Sequence, residues 1–433
     1  MEASVAGDAC EAQNPHLRFT SEAQIHKMRF MYLWQSPQWP QFQVDLAALQ
    51  PALAAARYAQ GRAMGLASHL QLTDLGELQL QGWAAEAIAT AQIEGEILQV
   101  NSVRASAARR LALADAKTTE RDARTEATLD VLQAAIDQSP QPLSHDMLHG
   151  WHAALFPTGR SGIQKIRTGA YRDHAEPMQI VTPKLGKPDI VHYQAPDSAD
   201  VHAHMTQLID WFNSTPPHTD GLMRAAIAHL WFEAIHPFED GNGRVGRALA
   251  EMALAQDMKT NQRLWSLSQQ MWLDRTGYYE QLQAATGQAN MDVTPWVQWF
   301  AGCVHKAADA TWDHMQTAMR KTRFWAELRD KHPQLTPTQT KAINKLYDAG
   351  PEGFTGGMST EKYVNLCGVS RATAYRELTA LCEMGVLVQT GVGRGTRYGL
   401  RSPSTDALTR FSSDFMREGR GDQEQTDRHF KDL

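Results

Sequence analysis

The sequence predicts a mainly α-helical protein with one β-hairpin near its middle and a separate helical module at its C-terminal end. Three observations lead there. Apolar residues recur at helical spacing from Leu46 to about Leu113, and helix returns at about Asp200 and dominates to about Lys321. Two short β-prone runs flank a Pro/Gly-containing loop around residues 179–193. After Pro333 the chain reads as helix, helix-turn-helix and a glycine-tipped β-ribbon.

At 433 residues the chain is too long for one compact core, and length alone suggests about three domains. Lys and Arg number 42 against 48 Asp and Glu, a net charge of −6, which argues against polyanion binding by the whole molecule and leaves local basic patches open. The four cysteines (Cys10, Cys303, Cys367, Cys382) show no CxxC or Cys/His spacing, so a reduced, cytoplasmic setting without structural zinc is expected. No apolar run approaches the ~20 residues of a membrane span.

Taken in order, residues 1–27 read as a polar, disordered leader that lacks the basic and apolar regions of a signal peptide, with Met28 and Met31 as alternative starts. Residues 28–113 form an N-terminal helical extension. Its aromatic, proline-containing arm (residues 31–45) precedes one pattern at Leu49, Leu53 and Ala56 and a second from Leu75 to Ile97, where Gly76 and Gly82 weaken the first turn. Residues 114–312 form the central domain. Leu129, Leu132, Ala135 and Ile136 mark a helix, Pro140 and Pro142 break it, the hairpin follows, and helix returns until Pro216-Pro217. Asp220 is the expected N-cap of an amphipathic helix from Gly221 to Ile235, with Met223, Ile227, Leu230 and Ala234 at helical spacing. Residues 313–401 read as a winged helix-turn-helix, and 402–433 as a disordered tail.

The most informative stretch is His236-Pro237-Phe238-Glu239-Asp240-Gly241-Asn242-Gly243-Arg244-Val245-Gly246-Arg247. Pro237 disfavours helix at His236, the glycines favour a tight loop, and Val245 onward is a strong helix former. A glycine loop feeding a helix N-terminus offers backbone N–H groups and a dipole to phosphate. Arg244 and Arg247, three apart, share one face of the new helix. His236 titrates near neutrality and can take a proton from a hydroxyl, while Asp240 suits Mg²⁺. This inventory suits a nucleoside triphosphate. By contrast His229 reads as a hydrogen-bonded helix residue, and His202 and His204, at i,i+2, point to different helix faces.

These residues resemble the Fic family signature HPFx(D/E)GNGRxxR at every specified position. The resemblance implies a Fic helical fold and Mg²⁺-dependent transfer of AMP from ATP to a Ser, Thr or Tyr hydroxyl of a target protein or of the chain itself. It makes His236 the base, Asp240 the Mg²⁺ ligand and Asn242 a residue near the phosphates. Gly241 and Gly243 then belong to the anion hole, and Arg244 and Arg247 clamp phosphates. The family's phosphotransferase branch carries lysine at the position of Gly243, so the glycine favours nucleotidyl transfer. The hairpin, including Thr182 as an ATP contact, is similar to the family's flap. Tyr278 and Tyr279 are similar to its adenine-pocket tyrosines, and plain packing explains two tyrosines equally well. Thr286 stands where relatives often carry Asn.

Upstream, Thr90-Ala91-Gln92-Ile93-Glu94-Gly95 is similar to the family's inhibitory pattern (S/T)xxxE(G/N), which implies that Glu94 neutralises Arg247 and restrains the reaction. Without that role Glu94 is a solvated helix residue. The arm at Trp34–Phe42 resembles an extension of many bacterial Fic proteins, and a homodimer is implied. Two alternatives follow: Glu94 positions water for AMP removal, or the chain is a nucleotide-sensing DNA-binding regulator. For the latter, Arg371 and Arg376 lie on the expected recognition helix and Arg394, Arg397 and Arg401 on the wing. Between Lys331 and Arg401 there are nine Lys/Arg and five Asp/Glu.

Overall fold

The computed structural model describes residues 32–70, 72–113, 121–182, 190–215, 219–349 and 357–401. The expected leader (1–27), tail (402–433) and hairpin loop (183–188) lie outside the described residues, as do the side chains of Thr182 and Arg394. The chain divides into two compact units between Met315 and Gln316.

The class is mainly helical, as expected. In the first unit the helices are α1 (Leu46–Ala67), α2 (Leu72–Ile93), α3 (Val100–Arg110), α4 (Ala123–Asp137), α5 (His145–Leu155), α6 (Ser198–Ser214), α7 (Gly221–Ile235), α8 (Asn242–Met258), α9 (Leu267–Leu273) and α10 (Arg275–Thr286). A long helix, α11 (Thr294–Lys331), passes from this unit into the second. Two hairpins complete the first unit: β1 (Arg160–Ser161) with β2 (Gln164–Lys165), and β3 (Gln179–Thr182) with β4 (Ile190–Gln194). Among the described residues no helix is long and apolar enough to cross a membrane.

The core is organised around α7. Asp220 caps it as expected, accepting from the backbone N–H of Leu222 (2.8 Å) and Met223 (3.3 Å). The expected amphipathicity is not found, however. All its residues but Met223 and Arg224 are buried, because GLMRAAIAHLWFEAI is apolar nearly all round and such a helix belongs inside. Helix α8 packs on it so closely that a Cβ at Gly246 would stand 2.6 Å from Glu233 Oε1 and 3.1 Å from His229 Nδ1. Phe232, Trp231, Leu249, Met252, Trp296 and Phe300 fill the surrounding core.

Helix α2 is fastened to its neighbours by buried polar groups. Glu86, fully buried, accepts from the hydroxyls of Ser266 (2.7 Å) and Ser268 and from the Ser268 backbone N–H. Arg263 bridges from Glu86 (3.8 Å) to Glu251 on α8 (3.0 Å). A charge this deep is tolerated only when so surrounded.

The second unit contains α12 (Pro337–Asp348), α13 (Thr360–Cys367), α14 (Arg371–Glu383), β5 (Leu387–Thr390) and β6 (Arg397–Leu400), in the order expected. Thr336 and Gln339 form a capping box for α12, and Gly368 ends α13 at φ +69°. Ile343, Leu346, Tyr363, Leu378, Leu381, Leu387 and Tyr398 make its core. The two strands pair antiparallel from Leu387↔Leu400 to Thr390↔Arg397.

Candidate active site

Helix α7 ends where Pro237 follows, and His236 caps it in the left-handed region (φ 50°, ψ 60°). That conformation costs a non-glycine residue roughly 1–3 kcal/mol and persists only where neighbours impose it. Here the His236 N–H donates to Phe232 O (2.9 Å) and its carbonyl accepts from Arg172 Nε (2.9 Å). Arg172, 2 % exposed, also donates to Pro196 O (2.5 Å) and Ser198 Oγ (2.9 Å), while its own N–H reaches Pro237 O (2.9 Å). Burial pulls the Arg172 guanidinium down to about 10. It is a buried clamp on loop carbonyls.

The loop is stapled internally. Asn242, expected beside phosphate, spends both ends of its amide on Phe238: Oδ1 accepts the Phe238 N–H (2.9 Å) and Nδ2 donates to its carbonyl (2.8 Å). The Phe238 ring stacks on His152 at 4.1 Å. His152 Nδ1 accepts from the Gly169 N–H (3.0 Å), so its Nε2 donates to the Asp240 carbonyl (3.1 Å). Gly241 sits at φ +77°, and a Cβ there would meet the Phe156 ring at 2.8 Å. The Asp240 carboxylate accepts from the Gly241 N–H (2.5 Å) and from Ser161.

His236 is the base candidate. Burial, then the nearby Arg172 charge, hold its imidazole down at about 4, so it is neutral and able to accept a proton at pH 7. Its Nδ1 lies 3.9 Å from Glu233 Oε2. Glu233 is 7 % exposed, and burial raises it to about 8 against the pull of Arg247. A folded-state value above the unfolded one means that stability declines as pH rises from about 4.5 to about 8. Glu233→Gln is therefore expected to raise the melting temperature at pH 7, a gain on the order of 2 kcal/mol. The gain should vanish near pH 4.5 and grow toward pH 8 in thermal scans, and a pH-independent difference would refute it.

The two arginines occupy one face of α8 but different depths. Arg247 is 1 % exposed: Nε donates to Thr90 Oγ1 (2.8 Å), and Nη2 donates to Thr90 O (3.1 Å) and to Glu94 Oε1 (2.7 Å). Burial opposes its charge, but Glu94, with Tyr278 and Glu233 adding to it, more than offsets this and raises its pKa. Arg247 Nη1 finds no hydrogen-bond acceptor among the described residues. Arg244, 8 % exposed, lies over the Phe156 ring (5.1 Å) and donates to Glu96 Oε1 (3.1 Å). Gly243 is placed under Glu94: a Cβ there would stand 2.1 Å from Glu94 Oε1.

Of the adenine-pocket candidates, Tyr278 is buried, with its hydroxyl 3.0 Å from His229 Nε2, and Tyr279 is 42 % exposed, donating to Ile93 O (3.0 Å). His229 is thus the hydrogen-bonded helix residue expected. Thr286 is buried and bonds its own helix at Leu282 O (2.9 Å). The hairpin β3–β4 is rooted by Tyr193, whose hydroxyl donates to Ala234 O (2.5 Å) two residues before His236. Ile180 and Val191 are exposed on it. Thr182 pairs with Ile190 in the hairpin register. Arg172, His152, Ser161, Glu233 and Glu96 were not singled out from sequence. Only Glu96 left a signal there, a second carboxylate in Glu94-Gly95-Glu96 to match the second arginine.

Comparison with known proteins adds three matches. Residues 142–254 match the model described as Fic/DOC family. Residues 32–113 match one described as Domain of unknown function (DUF4172), and 354–401 one described as Transcriptional regulator DIP2311-like, C-terminal domain. Protein adenylyltransferase Fic of Nematostella vectensis is 28 % identical over 208 residues, 46 % of this chain and 47 % of that protein. The Drosophila willistoni protein of the same name is 30 % identical over 154 residues, 35 % of this chain and 27 % of that one. The chain thus spans about half or less of the curated relatives it matches. A Fic family protein from Desulfovibrio desulfuricans G20 is 21 % identical at TM-score 0.48, covering 84 % of this chain and 99 % of that one. The segment carrying His236–Arg247 is therefore the part of this chain that matches the Fic/DOC family, and Glu94 lies within the N-terminal match.

Proposed function

We propose that this chain is a protein adenylyltransferase held in a restrained state by Glu94. The observation that carries the restraint is the 2.7 Å contact between Glu94 Oε1 and the buried Arg247 guanidinium. The reaction moves AMP from ATP to a hydroxyl of a protein. The hydroxyl oxygen bonds to the α-phosphorus, the bond from that phosphorus to the β-phosphate bridge oxygen breaks, and pyrophosphate leaves. Neutral His236 takes the hydroxyl proton, and the N–H groups of Asn242 and Gly243 with Arg244 and Arg247 face the phosphates, the Gly241 N–H being held by Asp240. With Glu94 on Arg247, the charge meant for the γ-phosphate is already neutralised.

Asp240 fits a Mg²⁺ site of the kind completed by substrate. It is one carboxylate, and no group of three or more metal-ligating side chains is found among the described residues. Mg²⁺ typically takes one or two carboxylates and relies on phosphates and water for the rest. When bound, the ion would neutralise charge on the phosphates. The named activity of the curated relatives agrees with this reading. The test is incubation with Mg²⁺ and ATP labelled at either the α- or the γ-phosphate. Protein that takes up α-label and no γ-label is transferring AMP, and the reverse pattern would sink the proposal in favour of phosphoryl transfer.

The second unit supports an added reading, contact with DNA. Ser370 caps α14, accepting from the Thr373 backbone N–H, and Arg371, Tyr375 and Arg376 are exposed on the helix that follows. The match of residues 354–401 to a transcriptional regulator domain points the same way. Duplex binding measured by anisotropy should weaken with salt, and Arg371→Ala with Arg376→Ala should flatten the log–log salt slope by about 2. Absence of binding at low salt would remove this reading.

A further inference from the structure

We propose that Glu96 is a second restraint, seated on Arg244 as Glu94 is on Arg247, so that two carboxylates close the phosphate site. The inference rests on the reading of Arg244 and Arg247 as the polyphosphate clamp. The geometry comes from how α2 ends. The Gly95 N–H donates to Gln92 O (3.0 Å) and the Glu96 N–H to Ala91 O (2.9 Å), with Gly95 at φ +78°. This is the Schellman ending, in which a left-handed glycine reverses the chain and satisfies the last carbonyls. The reversal places residue 94 and residue 96 toward one neighbour, although in a continuing helix they would point apart. That neighbour is the face of α8 where Arg244 and Arg247 stand three residues apart. Glu94 reaches Arg247 at 2.7 Å and Glu96 reaches Arg244 at 3.1 Å.

The second pair is more than a surface contact. Arg244 is only 8 % exposed and is held between the Phe156 ring at 5.1 Å and Glu96, so its charge has little water to share. The ending of α2 is also tied down beside the pairs: Arg275 Nη2 (3.1 Å) and the Tyr279 hydroxyl (3.0 Å) both donate to Ile93 O. Two carboxylates one glycine apart on one anchored turn are held against the two arginines by the same stretch of backbone. A triphosphate must displace both, and loss of Glu94 alone frees only the deeper arginine.

Calorimetric binding of Mg²⁺-ATP and of inorganic triphosphate to the full chain tests this, with wild type, Glu96→Gln, Glu94→Gln and the double variant. Glu96→Gln alone should tighten triphosphate binding about fivefold, the upper end of the scale for an ion pair with one partner in reach of water, and the double variant should bind tighter than either single. In a Glu94→Gly background, Glu96→Gln should lower the KM for ATP by a similar factor with kcat within about twofold, and Glu96→Asp, which keeps the charge, should stay near the parent. Affinity unchanged within twofold in both backgrounds overturns the proposal, including where Glu96→Gln merely lowers the melting temperature. If Glu96→Gln tightens triphosphate binding while no variant transfers AMP, the restraint stands and the transferase reading falls. If no variant binds triphosphate, both fall.

Discussion

Glu94→Gly is expected to raise incorporation of α-labelled AMP into protein by two to three orders of magnitude. Arg247 is the deepest charge of the site, and among the described residues its one carboxylate partner is Glu94 at 2.7 Å. A charge-assisted pair around a desolvated guanidinium contributes several kcal/mol, and removing roughly 3–4 kcal/mol from a barrier raises the rate about 10²–10³-fold. Glycine at residue 94 lies at the end of α2, so the change takes away the carboxylate with little cost to the helix. The measurement is initial label uptake at saturating ATP. Uptake equal to wild type, with ATP binding intact, would refute restraint by Glu94. Loss of an AMP-removing activity in the same variant would instead assign Glu94 to the reverse reaction.

His236→Ala in the Glu94→Gly background should cut that uptake by about 10³-fold, within the 10²–10⁴ expected of a general base, while leaving ATP affinity within a few-fold. The pH profile carries a second signature. Burial holds the imidazole at about 4, well under its ordinary 6.5, so the deregulated variant should keep its rate from pH 8 to below pH 6 and lose it as pH falls through about 4. An acid limb at 6.5 would mean an imidazole in contact with water. The same shift acts on stability with a definite sign. A lowered folded-state value gives a contribution that is full above pH 6.5 and is lost as pH falls toward about 4. His229, held at about 3 by burial and then by Arg247, adds to the same acid loss.

What was legible in the sequence is what lies close along the chain. Helix–loop–helix around His236, the cap at Asp220, the paired runs 179–182 and 190–193, and the three helices and hairpin after residue 335 all follow from spacing, glycines and prolines, the second strand running one residue further, to Gln194. The small hairpin at 160–165 was missed, although Gly159 and Gly162, both left-handed, mark its turns. The supports of the site were not legible. Arg172 meets His236 across 64 positions and His152 meets Asp240 across 88, contacts with no period to announce them. The misjudged character of α7 has the same origin. Four apolar residues at helical spacing say which face is buried, but only the packing of α8 against Glu233 and His229 tells that the other faces are buried too.

Gly243 links two parts of the chain that are 149 positions apart in sequence. Its missing Cβ is the space that Glu94 Oε1 occupies, and a Cβ would leave 2.1 Å between them. The movable partner is the end of a flexible glutamate, so a side chain at 243 displaces Glu94 rather than the loop. The two positions are therefore sterically interdependent: a side chain at 243 and Glu94 in its present place on Arg247 exclude each other. Under the restraint proposed for Glu94, a substitution at Gly243, in the middle of the candidate site, is expected to act as a gain-of-function allele.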